Sequence, residues 1–511
     1  MRLDLANLPT DVALLHRLVH DMTAALESRN TEIDRLQTLI KQLQRARFGR
    51  RSERLDADQL ALGLEDLDTD LARVEAALTP PADTPADRGR CKPHRPSLPD
   101  HLPRTECVHD LARNDCPDCG GRLHSIGETV SEMLDWVPAE LRVLRIRRPK
   151  YGCRSCGTIH QSPAPERPIA RGLATPALIA QVLVGKYCDH LPLYRQARIF
   201  ARHGVRIERS TLADWVGGAC WWLEPLHARL AEHVFASTKL FADDTPVPVL
   251  DPGRGRTKTG RLWVYARDDR PWDGPDPPAA VYLYSADRKA ERPAAHLGSF
   301  RGVLQVDGYA GFESLAARGD ITLAACWAHT RRRFYEFHQA TGSPIAAEAL
   351  RRIAELYAIE QRIRGRPAKA RRRERAALSR PLVDAMKAWL EAELPRVPNR
   401  GLLAEAIRYA LVRWPALCRF LDDGRIELDT NPVERAIRPV ALGRKNHLFA
   451  GSDGGGDRWA MVSSLVTTAQ LNEVEPNAYL RDVLERMVTG HPMSSLDELL
   501  PWNWSSANAE N

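Results

Sequence analysis

The sequence has little that would suit a membrane or the cell exterior. No apolar stretch reaches the roughly 20 residues that a helix needs to cross a bilayer. The first residues contain acids and no long apolar core of the kind found in a signal peptide. Cysteine is scarce, at 10 of 511 residues. This small number fits a reducing compartment, where cysteine pairs bind metal ions more often than they form disulfides. We therefore expect a cytoplasmic protein without a membrane partner.

The sequence also has only a small excess of charge of one sign. Lys and Arg number 73 against 66 Asp and Glu, a net charge of +7, so the clustering of basic residues matters more than their total. Arginine-rich runs occur at 45–54, 331–333 and 361–375. Such runs suit contact with a phosphate backbone, although a single run is more often a solvated surface.

The chain is long enough for about three or four domains, and its first segments differ in composition. Residues 1–55 carry an apolar seam whose steps alternate three and four. The seam favours a coiled coil and hence a homo-oligomer, and one long amphipathic helix packed on its own protein is the alternative. Residues 56–104 turn acidic and then Pro-rich, which is typical of a flexible linker.

Two C-x2-C pairs, each followed by glycine, mark residues 105–165 as a zinc-binding module. The four cysteines are Cys116, Cys119, Cys153 and Cys156. Four thiolates complete the tetrahedral shell of a structural Zn²⁺ site. A redox pair is the alternative, but one C-x2-C would suffice for it. Cys107 and His109 lie close by in the sequence, and the pattern does not require them.

Residues 166–235 look helical. Within them, "HLPLYRQARIFARHGVRIERSTLADWVGGAC" predicts a helix, a glycine-containing turn and a second helix that opens at Ser210 and Thr211. This arrangement resembles a helix-turn-helix, whose second helix enters the major groove of DNA. An ordinary helical hairpin fits nearly as well.

Residues 236–460 combine β-rich runs with a charged helical insertion at about 335–425. Five runs predict strands: "TKLFADDTPVPVL", "GRLWVYARDD", "AAVYLYSADR", "GVLQVDGYAGF" and the first half of "ITLAACWAHTRRRF". The "GSDGGGD" stretch at 451–457 lacks the Gly-Lys-Ser/Thr ending of a phosphate-binding P-loop, so we predict a flexible loop and no use of ATP. A helical segment at 461–511 ends the chain.

Three acidic residues stand at the ends of these elements. Asp243 lies on the first strand, Asp307 where the fourth strand meets a turn, and Glu434 at the start of a helix after the insertion. Three carboxylates on rigid elements suit Mg²⁺ or Mn²⁺, which promote in-line attack on phosphodiesters. A local alternative exists for Glu434, because Asn431 is a good N-cap whose amide the glutamate could reach in a capping box.

The sequence resembles the transposases of the insertion sequence 66 group over nearly its whole length. The shared motifs are "FGRRSERL", "CPDC…CRSC", "ADDTPVPV", "VDGYAGF", "CWAHTRRRF", "NPVERAIRPVALGRKNHLFAGS" and "LNEVEPNAYLRDVL". The resemblance implies a ribonuclease-H-like catalytic core with an Asp-Asp-Glu triad, interrupted by a helical insertion. It also implies cleavage of the ends of the element, transfer to target DNA, and small accessory proteins encoded by the same element.

The resemblance assigns the triad to Asp243, Asp307 and Glu434. The family usually has "DET" where this chain has "DDT" at 243–245, so Asp244 is a rival ligand. Successive side chains of a strand point to opposite faces, and only one of the two can therefore face the metal ions. The family pattern favours Asp243.

Other residues near the triad are candidate phosphate contacts. His329 in "CWAH" is one, and a structural histidine is its alternative. Cys326 with His329 makes only half a zinc site, so we predict no metal there. Arg438 and Lys445 follow the glutamate, although Arg438 could instead pair with Glu434 along the helix.

These features predict a multidomain protein of the α+β and α/β classes: coiled coil, zinc module, helix-turn-helix-like domain and ribonuclease-H-like core. We interpret it as a metal-dependent DNA transposase associated with a bacterial nucleoid. A non-catalytic, zinc-containing DNA-binding regulator is one alternative, but it leaves the three acids unexplained. A nuclease of the same fold without strand transfer is another, and the sequence does not separate it from a transposase.

Overall fold

The structure is a computed structural model that describes residues 98–505, apart from 113–114, 138–139, 171, 252–255, 318 and 448. The predicted coiled coil at 1–55 and most of the linker predicted at 56–104 lie outside the described residues. No helix in the described ranges is long and apolar enough to cross a membrane.

The nine strands of the described part form two sheets. The smaller sheet contains β1 (Arg104–Val108), β2 (Leu123–Val137), β3 (Glu140–Cys153) and β4 (Ile159–Gln161). The larger sheet contains β5 (Lys239–Asp251), β6 (Arg256–Arg267), β7 (Ala279–Ser285), β8 (Gly302–Val306) and β9 (Ile321–Ala325).

Fourteen α-helices occur in the same part of the chain. The first five are α1 (Pro176–Tyr187), α2 (Leu193–Arg202), α3 (Arg209–Phe235), α4 (Glu291–His296) and α5 (Ala310–Ala316). Six form the insertion: α6 (Trp327–Thr341), α7 (Pro344–Ile363), α8 (Ala368–Glu374), α9 (Arg380–Glu393), α10 (Leu402–Val412) and α11 (Trp414–Cys418). The last three are α12 (Asn431–His447), α13 (Asp453–Leu471) and α14 (Pro476–Val488).

In the smaller sheet, β2 and β3 form a long antiparallel hairpin, and β1 and β4 both pair with β3. The hairpin register pairs Leu123 with Cys153 at its open end. The residues just before β2 and just after β3 therefore come together there, and these residues include both C-x2-C pairs.

The larger sheet has the strand order β7-β6-β5-β8-β9. Strands β5, β6 and β7 form an antiparallel meander, whereas β8 runs parallel to β5 and β9 parallel to β8. Trp263, Tyr265 and Tyr282 are fully buried within it. The five strands coincide with the five predicted runs, because bulky β-forming side chains in those runs are packed between other elements.

The insertion has a hydrophobic core of its own, which includes Phe334, Ile353 and Met386. It begins at Trp327, directly after β9 and earlier than the predicted 335. A second cluster of buried residues joins the larger sheet to α1–α3 and α12–α14. The described chain is thus of mixed α and β class, with the helical insertion entering between the fifth strand and α12.

The basic run at 361–375 is only partly a solvated surface. Arg371 and Arg375 are almost fully buried. They pair with Glu360 at 3.0 and 2.6 Å, and Arg371 also pairs with Glu427 at 2.6 Å. Because these guanidinium groups are internal and neutralised, they are not free for a phosphate backbone.

The prediction of a flexible loop at 451–457 is wrong, because α13 begins within this stretch. The Ser452 hydroxyl caps the helix by accepting a hydrogen bond from the Gly455 amide at 3.1 Å. A Cβ atom on Gly456 would lie 2.6 Å from the Tyr284 ring. Glycine is therefore needed here for close approach of the helix to β7, and not for a mobile turn.

Candidate metal centres

The four predicted zinc ligands meet at the open end of the β2–β3 hairpin. Their sulfur atoms all lie within 4.8 Å of one another. The sulfur atoms of Cys116 and Cys156 are 3.4 Å apart, and those of Cys119 and Cys153 are 3.5 Å apart. Sulfur atoms around a tetrahedral Zn²⁺ are separated by about 3.8 Å, so the cluster fits a structural zinc site.

The same tight turn holds each cysteine pair, which explains the glycine that follows it. The Gly120 amide donates to the Cys116 carbonyl, and the Gly157 amide donates to the Cys153 carbonyl, both at 2.8 Å. Gly120 and Gly157 have φ angles of +70° and +75°. Glycine adopts this left-handed conformation without steric cost, so the sequence signal has a direct structural reason.

Polar groups surround the sulfur atoms. A hydrogen bond from Thr158 is the largest cause that lowers the pKa of Cys116, which falls to about 5. His160, which the sequence analysis did not single out, has Nε2 at 3.4 Å from the Cys116 sulfur. Among the described residues, neither Cys107 nor His109 belongs to the four-sulfur cluster.

The two predicted aspartates lie on neighbouring strands of the larger sheet. Strands β5 and β8 pair in parallel, with Phe241 opposite Gln305. The same register continued for two residues would set Asp243 beside Asp307, since neighbouring strands lie about 4.8 Å apart. The Asp307 carboxylate accepts a hydrogen bond from the Tyr309 amide at 3.0 Å, which fixes its orientation in the turn.

Glu434 approaches this pair from α12, a helix that packs against β5 and β6. Burial, the charge of Asp307 and, less strongly, the charge of Glu434 raise the pKa of Asp243 to about 7. Three carboxylates that repel one another in a half-buried site are an arrangement that a divalent cation stabilises. The oxygen donors therefore fit Mg²⁺ or Mn²⁺.

Helix α12 begins one residue earlier than the sequence predicts. The Thr430 carbonyl accepts the first helical hydrogen bond, from the Glu434 amide at 3.1 Å, so Thr430 is the N-cap. The Asn431 amide donates to the Asp429 carboxylate at 3.1 Å. Because that amide is already satisfied, the predicted capping box is wrong. The Glu434 carboxylate instead accepts a hydrogen bond from the Thr430 hydroxyl at 3.1 Å.

His329 lies beside Glu434 at the start of α6. Its Nδ1 atom is 3.8 Å from the Glu434 carboxylate and has no hydrogen-bond partner among the described residues. The ligand atoms of Cys326, His329 and Glu434 all lie within 4.8 Å of one another. The sequence analysis counted Cys326 and His329 as half a zinc site, and the structure adds the glutamate as a third donor.

Asp244, the rival ligand, points away from Asp243 as strand alternation predicts. Its buried carboxylate pairs with Arg261 at 3.0 Å and with Arg288 at 2.8 Å. Two guanidinium groups from β6 and from the segment after β7 therefore neutralise it. Neither arginine was singled out from the sequence, because nothing local links them to the "DDT" motif.

A tyrosine of the insertion contacts the turn at Asp307, and the sequence analysis missed it. The Tyr409 hydroxyl donates to the Asp307 carbonyl at 2.8 Å. The guanidinium carbons of Arg333 and Arg413 lie 4.0 and 4.1 Å from the centre of the Tyr409 ring. A Cβ atom on Gly308 would lie 2.8 Å from Arg413 Nε. The glycine in "VDGY" was the only local signal of this close approach.

The two basic residues predicted after Glu434 are exposed on α12. In the described part of the chain, no ion pair joins Arg438 or Lys445 to Glu434, which lies 3.8 Å from His329 Nδ1. Arg438 instead lines a cavity of about 340 Å³ together with His190 and Trp459. Their role in binding phosphate stays a prediction.

Comparison with known families identifies the class of the protein as a transposase. The chain belongs to the transposase IS66 family, and the model of that family matches residues 171–458. Three further matches carry the descriptions zinc-finger binding domain of transposase IS66 (114–157), Transposase C of IS166 homeodomain (35–107) and IS66 C-terminal element (464–502).

Two relatives from Sinorhizobium fredii (strain NBRC 101917 / NGR234) are similar over nearly their whole length. "Uncharacterized protein y4jD" is 44% identical over 515 residues, with 98% of this chain and 97% of that protein covered. "Uncharacterized protein y4qI" is 41% identical over 497 residues, with 94% and 91% covered. The family match and the four-sulfur cluster together support structural zinc.

Proposed function

We propose that this transposase cleaves DNA at the ends of its insertion sequence and joins the freed ends to target DNA. The observation that supports the proposal is that Asp243 and Asp307 belong to the paired strands β5 and β8, and that burial and the charges of Asp307 and Glu434 raise the pKa of Asp243. These carboxylates would hold Mg²⁺ or Mn²⁺, which when bound activates the nucleophile and stabilises the leaving oxygen.

Residues of the chain would hold the carboxylate ligands in position and contact the DNA. Pairing of β5 with β8 would hold the two aspartates near each other, and the Thr430 hydroxyl, which donates to the Glu434 carboxylate, would orient Glu434. Water attacks phosphorus at the end of the element and the bond to the 3′-oxygen breaks, which leaves a 3′-hydroxyl after protonation. That hydroxyl then attacks phosphorus in target DNA and displaces a target 3′-oxygen. His329 would contact a phosphate oxygen, and the lack of a hydrogen-bond partner for its Nδ1 within the described residues supports this role.

The domain roles belong to the same proposal. A ribonuclease-H-like domain over 236–460 would carry the chemistry, and its antiparallel meander followed by two parallel strands supports this assignment. The zinc module at 105–165 and the helix-turn-helix-like helices at 166–235 would bind the ends of the element. The seam at 1–55 would pair two chains, and the segment at 461–511 would complete the core. Small accessory proteins of the element would act with it.

A joining assay tests the proposal. The purified chain is incubated with Mg²⁺, a target plasmid and a labelled duplex that carries the terminal sequence of the element. We expect joined product with the wild type and with Glu391→Gln, an exposed carboxylate of the insertion, but none with Asp307→Asn. Nicking without joining would indicate a nuclease, and binding alone would indicate a regulator.

A further inference from the structure

A cleft of about 760 Å³ opens beside Glu434, between α6, α7 and the start of α12. Its floor is made of small side chains, Ala328 on α6 and Ala354 and Ala358 on α7. Its rims carry arginine, tyrosine and amide side chains. The volume lies in the range of about 300–1,000 Å³ in which proteins hold small ligands, so a nucleotide fits.

The α6 rim consists of Arg331, Arg332 and Tyr335, whose spacing of three and four places them on one helix face. The Tyr335 side chain is 44% exposed, and the Arg331 guanidinium lies 5.7 Å from its ring centre. Within the described ranges, Arg331 and Arg332 form no ion pair or hydrogen bond. By contrast, Arg351 on α7 pairs with Glu348 and Glu355. Two unpaired cations and an exposed ring therefore face the cleft.

The opposite rim offers hydrogen-bonding groups. Gln361 on α7 and Asn431 on α12 are exposed amides that line the cleft. Each can donate and accept hydrogen bonds with the edge of a base. Tyr357 and Asp429 also line the cleft.

We propose that this cleft receives an unpaired nucleotide of the DNA strand that is processed at the carboxylates. Tyr335 stacks on the base, Arg331 and Arg332 contact its phosphates, and the amides face its edge. Aromatic stacking beside basic groups is how proteins hold single strands. The inference rests on the proposed function, because Glu434 is both a wall of the cleft and a member of the triad.

Binding to a single strand tests the cleft without any cleavage. Fluorescence anisotropy follows the full chain with a labelled oligodeoxyadenylate, without added divalent cation. Tyr335→Ala is expected to weaken binding about ten-fold or more, since stacking on an aromatic ring contributes this much per base. Tyr335→Phe keeps the ring and should bind like the wild type. Arg351→Ala, an exposed arginine outside the cleft, is the matched control.

Photocrosslinking locates the contact independently. A strand of the same length that contains 5-iododeoxyuridine is expected to crosslink to the peptide that carries Tyr335. Crosslinks confined to other peptides, or equal affinity of Tyr335→Ala and the wild type, would overturn the proposal. Free dAMP that binds as tightly as the oligonucleotide would also overturn it, because the site would then hold a small molecule. A changed oligomeric state in Tyr335→Ala would assign the cleft to a second copy of the chain instead.

The binding and crosslinking tests of the cleft can fail or succeed independently of the joining assay. A chain that crosslinks at Tyr335 but never cleaves DNA keeps the nucleotide site and loses the proposed function. A chain that joins DNA with an unchanged Tyr335→Ala variant keeps the function and loses the site. Thermal melting of each variant excludes a folding defect as the cause, and exposure of Tyr335 favours normal folding.

Discussion

The four-sulfur cluster and the three-carboxylate site are assembled in opposite ways. Both cysteine pairs lie in short glycine-containing turns at one end of a hairpin. The carboxylates come from β5, the end of β8 and α12, with the whole insertion between the second and the third. The sulfur atoms form a compact set, whereas burial and then repulsion by neighbouring carboxylates raise the pKa of Asp243. We therefore expect the first site to stabilise the fold, and the second to destabilise it when no cation is bound.

Among the variants that test this difference between the two sites, Glu434→Gln is expected to have the largest effect. An amide oxygen lacks the charge that offsets the removal of water from a hard cation, so cleavage should fall by several orders of magnitude. The Thr430 hydroxyl can still donate to the amide oxygen, so melting should stay near that of the wild type. Rates of end cleavage and thermal melting measure both. Near-normal cleavage and joining would remove the glutamate from the triad.

Cysteine replacement should show the reverse pattern, with stability lost first. Cys116→Ser or Cys153→Ser is expected to lose zinc and to destabilise residues 105–165 by several kcal/mol, because metal binding and folding are coupled. Metal analysis and melting of the full chain measure the loss. Cys107→Ser, outside the cluster, should retain one zinc. Stoichiometric zinc in both cluster variants would refute the ligand assignment.

The neighbouring aspartates of β5 give a third test of the contrast. Asp244→Asn leaves Arg261 and Arg288 without their buried partner, and breaking such a pair costs about 3–5 kcal/mol. Asp243→Asn should instead raise the melting temperature at pH 8 without divalent cations, because it removes a carboxylate that its neighbours repel. Melting curves of the two variants should therefore move in opposite directions.

The pH dependence of Asp243 follows from the sign of its shift. Its pKa is raised to about 7, so the folded chain holds this proton more tightly than the unfolded chain. The stability contributed by the group is present at low pH and is lost as the pH rises through about 7. The gain from Asp243→Asn should therefore shrink as the pH falls below 7 and vanish only below about pH 4, near the ordinary pKa of 3.8. A gain that is equal at pH 5 and pH 8 would contradict the electrostatic explanation.

Local chemistry determined how much the sequence could predict. The zinc turns and the five strands were predictable, because C-x2-C-Gly and the β-rich runs act within a few residues. The partners of Asp244 and the contact of Tyr409 with Asp307 were not, since they join elements far apart in the chain. The glycines at 454–456 failed as a loop signal because they lie in the first turn of α13, where Gly456 packs against the Tyr284 ring. Tertiary contacts overrode local propensity in these cases.

The smallest expected effect concerns the start of α12, where Thr430 takes the cap role that the sequence suggests for Asn431. Asn431→Ala should change the free energy of unfolding by less than about 0.5 kcal/mol, because its side chain is exposed and makes no cap. Thr430→Val removes the hydroxyl that donates to Glu434, which should cost about 1 kcal/mol. It should also slow cleavage about ten-fold, since groups that orient a metal ligand affect activity on this scale.

Thermal melting and cleavage rates of the two variants decide between the cap assignments. If Thr430 is the cap and the orienting group, its variant alone slows cleavage. A loss of about 1 kcal/mol in Asn431→Ala with no loss in Thr430→Val would restore the capping box. Helix capping alone would then explain why Glu434 stands at the start of α12. Only Asp243 and Asp307 would remain as candidate ligands of the catalytic metal ions.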